Sequence, residues 1–167
     1  MTEIDSFSLC DVAFHCTKWE ICHKDLDRLI PQILDQVRKT FSNFLSTGHV
    51  DLILADNAFI QDLNYRYRGQ NRPTNVLSFP QSDFKKGKIE PEDEFVLLGD
   101  IVMAYEVIAH EAKQENKPFL DHFSHLLVHG MLHLLGFDHE TNDDQQEMES
   151  FEVKILSKIG ISNPYEN

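Results

Sequence analysis

The stretch HGMLHLLGFDH, residues 129–139, spaces three histidines as i, i+4 and i+10. Residues four apart share one face of an α-helix, so His129 and His133 can direct two imidazoles at one point. Gly136 lets the chain leave the helix axis, and His139 can return from the following loop with a third nitrogen. Three neutral protein ligands and one open position form the usual catalytic zinc site, in which bound water is shifted towards neutrality and becomes a usable nucleophile. Two histidines four apart are, alone, more often helix decoration than ligands. The third histidine, the helix-stopping glycine and the adjacent Asp138 favour a metal. A closed structural site with Asp138 as fourth ligand is the competing reading, and three histidines do not separate zinc from nickel or cobalt.

The same spacing resembles a zinc-protease helix, but Gly130 stands where that enzyme carries its glutamate, so the protease's proton-handling group is missing. A glycine in mid-helix costs about 1 kcal/mol in propensity. Either close helix packing or backbone room beside a metal would account for it. His125, one turn before His129 on roughly the same face, could replace one ligand, and the stronger expectation is that it backs a ligand or packs beneath the site. His110 and His122 read as surface or hydrogen-bonded residues.

These side chains need elements to hold them. Residues 7–16 are short and apolar enough for an edge strand. A helix is predicted from residue 22 to 45, with Leu26, Leu29, Ile30, Ile33, Leu34, Val37, Phe41 and Phe44 at three- and four-residue steps. Pro31 either bends it or marks its first turn. A central strand follows at 49–56, and Asp56 can cap a helix over NAFIQDLNYRYR. NRPTNVLSFP leads into a strand near 75–79, and residues 81–94 are polar enough for a loop. A further strand covers 95–103, with Gly99 marking a bulge or a close backbone approach. Three helices complete the chain: 104–115, one started by Pro118 and stopped at Gly136, and one from Asn142 that is acidic at its start and basic near its end.

No repeat or linker divides the chain, so residues 1–167 read as one α/β domain with about four strands and about five helices. At 167 residues, 41% of them hydrophobic and 12 of them Phe, it can bury an aromatic-rich core. The formal charge of −13, from 28 acids and 15 bases, disfavours broad non-specific nucleic-acid binding but allows a local basic cleft. Cys10, Cys16 and Cys22 are odd in number and lack CxxC spacing, which argues against a disulfide framework. With no membrane-length apolar run and no signal-peptide pattern at the N-terminus, a reducing cytoplasm is the expected location.

Three blocks, HLLVHGMLHLLGFDH at 125–139, YRGQNRPTNVLSFP at 67–80 and LLGDIVM at 97–103, resemble in order and spacing the YbeY family of bacterial endoribonucleases and rRNA maturation factors. The likeness spans nearly the whole chain. Phe137 replaces the family's usual tyrosine, losing a hydroxyl and keeping the ring. The resemblance implies a small mixed sheet with zinc, one ion per chain, held at a helix and the loop after it. It assigns the ligands to His129, His133 and His139 and a functional arginine to Arg68. It implies cleavage of single-stranded RNA, maturation of 16S rRNA 3′ ends and late ribosome quality control. The implied partners are rRNA, the small ribosomal subunit, ribosomal proteins and an assembly GTPase.

In that setting Arg68 becomes a clamp for phosphate, since its planar fork donates two parallel hydrogen bonds. Arg66 and Arg72 are expected to extend a positive cleft, with Lys85, Lys86 and Lys88 on the nearby loop adding RNA contacts. Ser78, with Thr74 and Asn75, is expected to hold the segment that places Arg68. Asp100 can orient a ligand histidine or fix a strand end, and Tyr65 and Tyr67 can stack on bases or pack on their helix. Either water or the RNA 2′-hydroxyl could attack the phosphorus. The alternatives are an assembly factor with a structural zinc and little catalysis, and a metal-dependent peptidase or amide hydrolase.

Overall fold

Periodicity explains most of the architecture of the computed structural model, which describes residues 10–41, 48–86 and 96–166. The chain runs β1 (Cys10–Phe14), a short 3-10 helix (Thr17–Cys22), α1 (His23–Thr40), β2 (Gly48–Ala55), α2 (Asn57–Arg68), β3 (Val76–Pro80), β4 (Val96–Ala104), α3 (Tyr105–Gln114), α4 (Phe119–Leu134) and α5 (Asn142–Lys158). Among the described residues, four strands and five α-helices match the expected α/β class. The expected positions of Phe44, Lys88 and residues 7–9 fall outside the described residues.

The sheet has the order β1-β2-β4-β3. β1 and β2, and β2 and β4, pair in parallel, whereas β3 pairs antiparallel with β4, so the sheet is mixed and β2 is interior. Side chains alternate between its faces. Val50, Leu52, Leu54, Ile101 and Met103 point into the larger core with α1, α4 and α5. Ala55, Leu77, Val102 and Ala104 point the other way, into a smaller core with Ile60 of α2.

Local chemistry sets the boundaries. Asp56 caps α2 by accepting from the Phe59 amide at 2.9 Å. Thr141 does the same for α5 through the Asp144 amide at 3.1 Å. Leu26, Ile30, Ile33 and Val37 form the buried stripe of α1. Pro31 lies in the interior of α1, which rules out the first-turn reading. The 3-10 helix was not legible in the sequence. It is too short for a period, yet it delivers the fully buried Trp19, whose Nε1–H donates to the Ala55 carbonyl at 3.0 Å.

At Gly99 both expectations hold. The β2–β4 register shifts between His49 and Val50, and a Cβ on Gly99 would run into the Phe79 carbonyl at a φ of +140°. None of the described helices is long and apolar enough to cross a membrane.

Candidate active site

The histidine helix ends as its sequence demands. Gly136 has a φ of +91°, and beyond Leu134 the Phe137 amide donates back to the Leu132 carbonyl at 3.0 Å. That turn brings His139 back over the last turn of α4. His129, His133 and His139 each offer one ring nitrogen, all within 4.8 Å of one another. The His129 and His133 rings meet edge-on at 4.5 Å, and the His139 ring stacks against His129 at 5.7 Å.

Hydrogen bonds place protons on the Nδ1 atoms of His133 and His129. His133 Nδ1 lies 3.0 Å from the Phe137 carbonyl oxygen, which only accepts, so the proton sits on Nδ1. His129 Nδ1 lies 3.1 Å from Oε1 of Glu152. Burial tends to raise the Glu152 pKa, but hydrogen bonds and charge from His125 and His129 outweigh it and hold the carboxyl at about 2. It is therefore a carboxylate that accepts. Burial, then the neighbouring His129 and His139, hold His133 down at about 4, so its ring is neutral near pH 7. The Nε2 atoms of His129 and His133 face each other 3.0 Å apart. Two lone pairs would repel at that distance, so a shared proton or a cation must lie between them, and with the third imidazole of His139 beside them the donor set fits a divalent metal such as zinc.

A cleft of about 710 Å³ opens beside the histidines, along the edge strand β3. Arg68, Arg72, Asn75, Ser78, Glu111 and Asp138 line it together with all three histidines. Arg68 ends α2, where Gly69 takes a left-handed conformation and turns the chain away. Its Nη2 donates to the Ser78 carbonyl at 3.1 Å. The Ser78 hydroxyl donates to the Gly130 carbonyl of α4 at 3.0 Å. One residue of β3 thus ties the arginine to the histidine helix. Arg72 is placed by its own carbonyl, which accepts from Asn64 Nδ2 at 2.8 Å.

Other expected residues lie elsewhere. Arg66 pairs with Asp62 at 2.6 Å and does not line the cleft. Lys86 is bound to Glu147 at 3.3 Å and Asp144 at 3.6 Å on α5, and Lys85 is exposed outside the cleft lining. Asp100 orients none of the three histidines. It occupies the opposite sheet face from Ile101, where burial and then Asp51 raise its pKa. There Asp51 also joins Asp11 and His49 in a second histidine–carboxylate group. Asp138 accepts from the His139 amide at 2.8 Å and shapes the turn. His125 backs the site indirectly, 3.1 Å from Oε2 of Glu152. His122 is buried against Glu111 at 2.9 Å, and His110 is exposed. Tyr67 is exposed, with its ring edge against Phe79 at 5.4 Å.

Gly130 is resolved as packing. A Cβ there would come within 3.2 Å of Ser78 Oγ and 3.3 Å of two Ile101 carbons. The protease glutamate position therefore faces the sheet. Sequence reasoning missed Glu152 and Glu111. A lone glutamate in an acidic helix carries no pattern signal, and only the packing of α5 and α3 against α4 brings them to histidines.

A family model for endoribonuclease YbeY matches residues 11–160. The chain belongs to the YbeY endoribonuclease family. Endoribonuclease YbeY of Rhizobium etli is 48% identical over 117 residues, covering 70% of this chain and 66% of the relative. That of Bartonella quintana is 37% identical over 159 residues, covering 93% of this chain and 95% of the relative. The solution structure of a Thermotoga maritima protein superposes with a TM-score of 0.53 at 21% identity, covering 95% of this chain and 99% of that one, and shows the fold alone. The family's name describes a ribonuclease, and the cleft pairs a candidate metal cluster with arginines suited to phosphate.

Proposed function

We propose that this chain, as one catalytic domain over residues 1–167, is a metal-dependent endoribonuclease. It cleaves single-stranded RNA in rRNA maturation, notably at 16S 3′ ends, and in late ribosome quality control. The observation that carries this reading is the shared cleft: the three histidines and Arg68 line one cavity and are joined through Ser78. Family membership supports the reaction class.

In this reading His129 and His133 would hold one zinc ion through Nε2, their Nδ1 atoms being bonded to Glu152 and the Phe137 carbonyl, and His139 through one ring nitrogen. When bound, zinc supplies Lewis acidity to the scissile phosphate or to the attacking oxygen. Arg68 keeps one arm on the Ser78 carbonyl and has four remaining N–H donors for phosphate oxygens. Its fixed charge offsets the negative charge that develops on those oxygens. Arg72 extends the grip along the strand. The two arginines give an acidic protein a local attraction for a polyanion. The natural setting is the cytoplasm, with the small ribosomal subunit, ribosomal proteins and an assembly GTPase as partners.

Cleavage of defined single-stranded RNAs by protein of verified zinc content tests this. Arg68→Ala should keep its zinc and lose at least about tenfold in rate, as removal of a charge-stabilising donor does. His133→Ala should lose both zinc and cleavage. Equal cleavage by Arg68→Ala would reject the clamp, and full rRNA processing in cells by both variants would favour a structural zinc. Mapping both product ends identifies the nucleophile, because a cyclic phosphate marks attack by the 2′-hydroxyl.

A further inference from the structure

Where α4 meets α5, a carboxylate is buried that neither metal ligation nor RNA contact accounts for. Glu152 is 1% exposed, and a charge in such a place persists only when its oxygens are bonded. Oε1 accepts from His129 Nδ1 at 3.1 Å, and Oε2 lies 3.1 Å from His125 Nε2. The Tyr165 hydroxyl lies 2.7 Å from Oε2 and 2.9 Å from Oε1, and its single proton can serve one of them at a time.

The segment that carries Tyr165 is itself held. The Tyr165 amide donates to Asn163 Oδ1 at 2.9 Å, and Lys117 Nζ donates to the Pro164 carbonyl at 2.9 Å. A carboxylate with donors from three side chains has little freedom to turn. Packing alone does not hold the His129 ring, because a cavity of about 250 Å³ borders it, lined also by His139, Met148, Glu152 and Tyr165. Hydrogen bonding therefore sets the angle and tautomer of this ring, and the segment after α5 contributes to that setting.

Resting on the metal-site reading above, we propose that Glu152 and Tyr165 are positioning residues for His129. Tyr165 fixes Glu152, Glu152 keeps the proton of His129 on Nδ1, and Nε2 is left bare and aimed at the metal position. The segment after α5 thereby becomes part of the metal centre without touching the metal.

The test compares the unaltered chain with Glu152→Gln and Tyr165→Phe. Zinc affinity is read by competition with a chromophoric chelator, the His129 tautomer by nitrogen-15 NMR, and folding by unfolding of the metal-free proteins. Loss of a partner behind a ligand histidine typically costs 10–100-fold in metal affinity. Glu152→Gln should fall in that range. Tyr165→Phe keeps the ring and should lose about threefold to tenfold, with a weakened Nδ1–H signal from His129. Affinities within twofold of the unaltered chain in both variants would overturn the proposal. So would lowered stability with unchanged affinity, the mark of a purely structural contact. Should Glu152→Gln fail to fold, Tyr165→Phe alone decides. An unaltered chain that takes up no zinc would remove the functional reading as well, whereas normal uptake with insensitive variants would remove only this inference.

Discussion

Ser78 shows how much a single residue can coordinate. Its carbonyl holds Arg68 and its hydroxyl holds the Gly130 carbonyl, so Arg68 and the histidine helix share one anchor. Glu111 plays a comparable part across the cleft, accepting from Asn75 at 3.0 Å and bonding His122 at 2.9 Å. Burial tends to raise its pKa, but the His122 and Asn75 hydrogen bonds prevail and lower it below 4.5. A depressed folded-state pKa means that the stabilisation is fully present above the unfolded value and is lost as pH falls through the folded one. Glu111→Gln should therefore cost roughly 1–2 kcal/mol at neutral pH, measured by urea unfolding. The gap should narrow progressively below about pH 4.5. A gap independent of pH would show that the carboxylate charge contributes nothing.

Among the elements, α4 carries most of the constraint. One face carries His129 and His133, and the face beside it packs so closely on β3 and β4 that only a glycine fits at 130 without displacement. Gly130→Ala gains about 1 kcal/mol in helix propensity and must push Ser78 and Ile101 by a few tenths of an ångström, so a small net change is expected. Gly130→Glu would drive a carboxylate against Ile101 and should cost more than about 3 kcal/mol, read by denaturant unfolding. A stable Gly130→Glu protein with peptidase activity would reopen the protease reading. Phe137 belongs to the same element boundary. It is buried with Phe41 at 5.4 Å and Phe151 at 5.1 Å, and this apolar setting suits the ring without a hydroxyl.

For the whole molecule, the formal charge of −13 and a polyanionic substrate are reconciled by geometry. Arg68 and Arg72 face the cleft, while Arg66 and Lys86 are engaged by Asp62, Asp144 and Glu147. RNA binding should therefore depend only weakly on salt. Two phosphate contacts predict a slope of about −1.4 for log affinity against log salt, measurable by fluorescence anisotropy with a short labelled RNA. A slope steeper than about −4 would move the binding surface to other basic residues.

Periodic and capping signals are local, so the sequence by itself determined α1 to α5, the strand positions, the Asp56 cap and the turn at Gly136 that returns His139. The three-histidine set was legible for the same reason, since helical spacing and one glycine define it. The mixed topology came from resemblance rather than from any period. Only the tertiary structure decided that Lys86 turns to α5, because that salt bridge depends on side chains that meet in space, whereas Asp62–Arg66 is an i,i+4 pair on α2 that local spacing already allows. It also placed Asp100 on the far face of the sheet and Gly130 against Ile101. Glu152 and Tyr165 come from separate points of the chain, and the packing of α5 on α4 brings them to His129. That contact is long-range, and no local pattern encodes it.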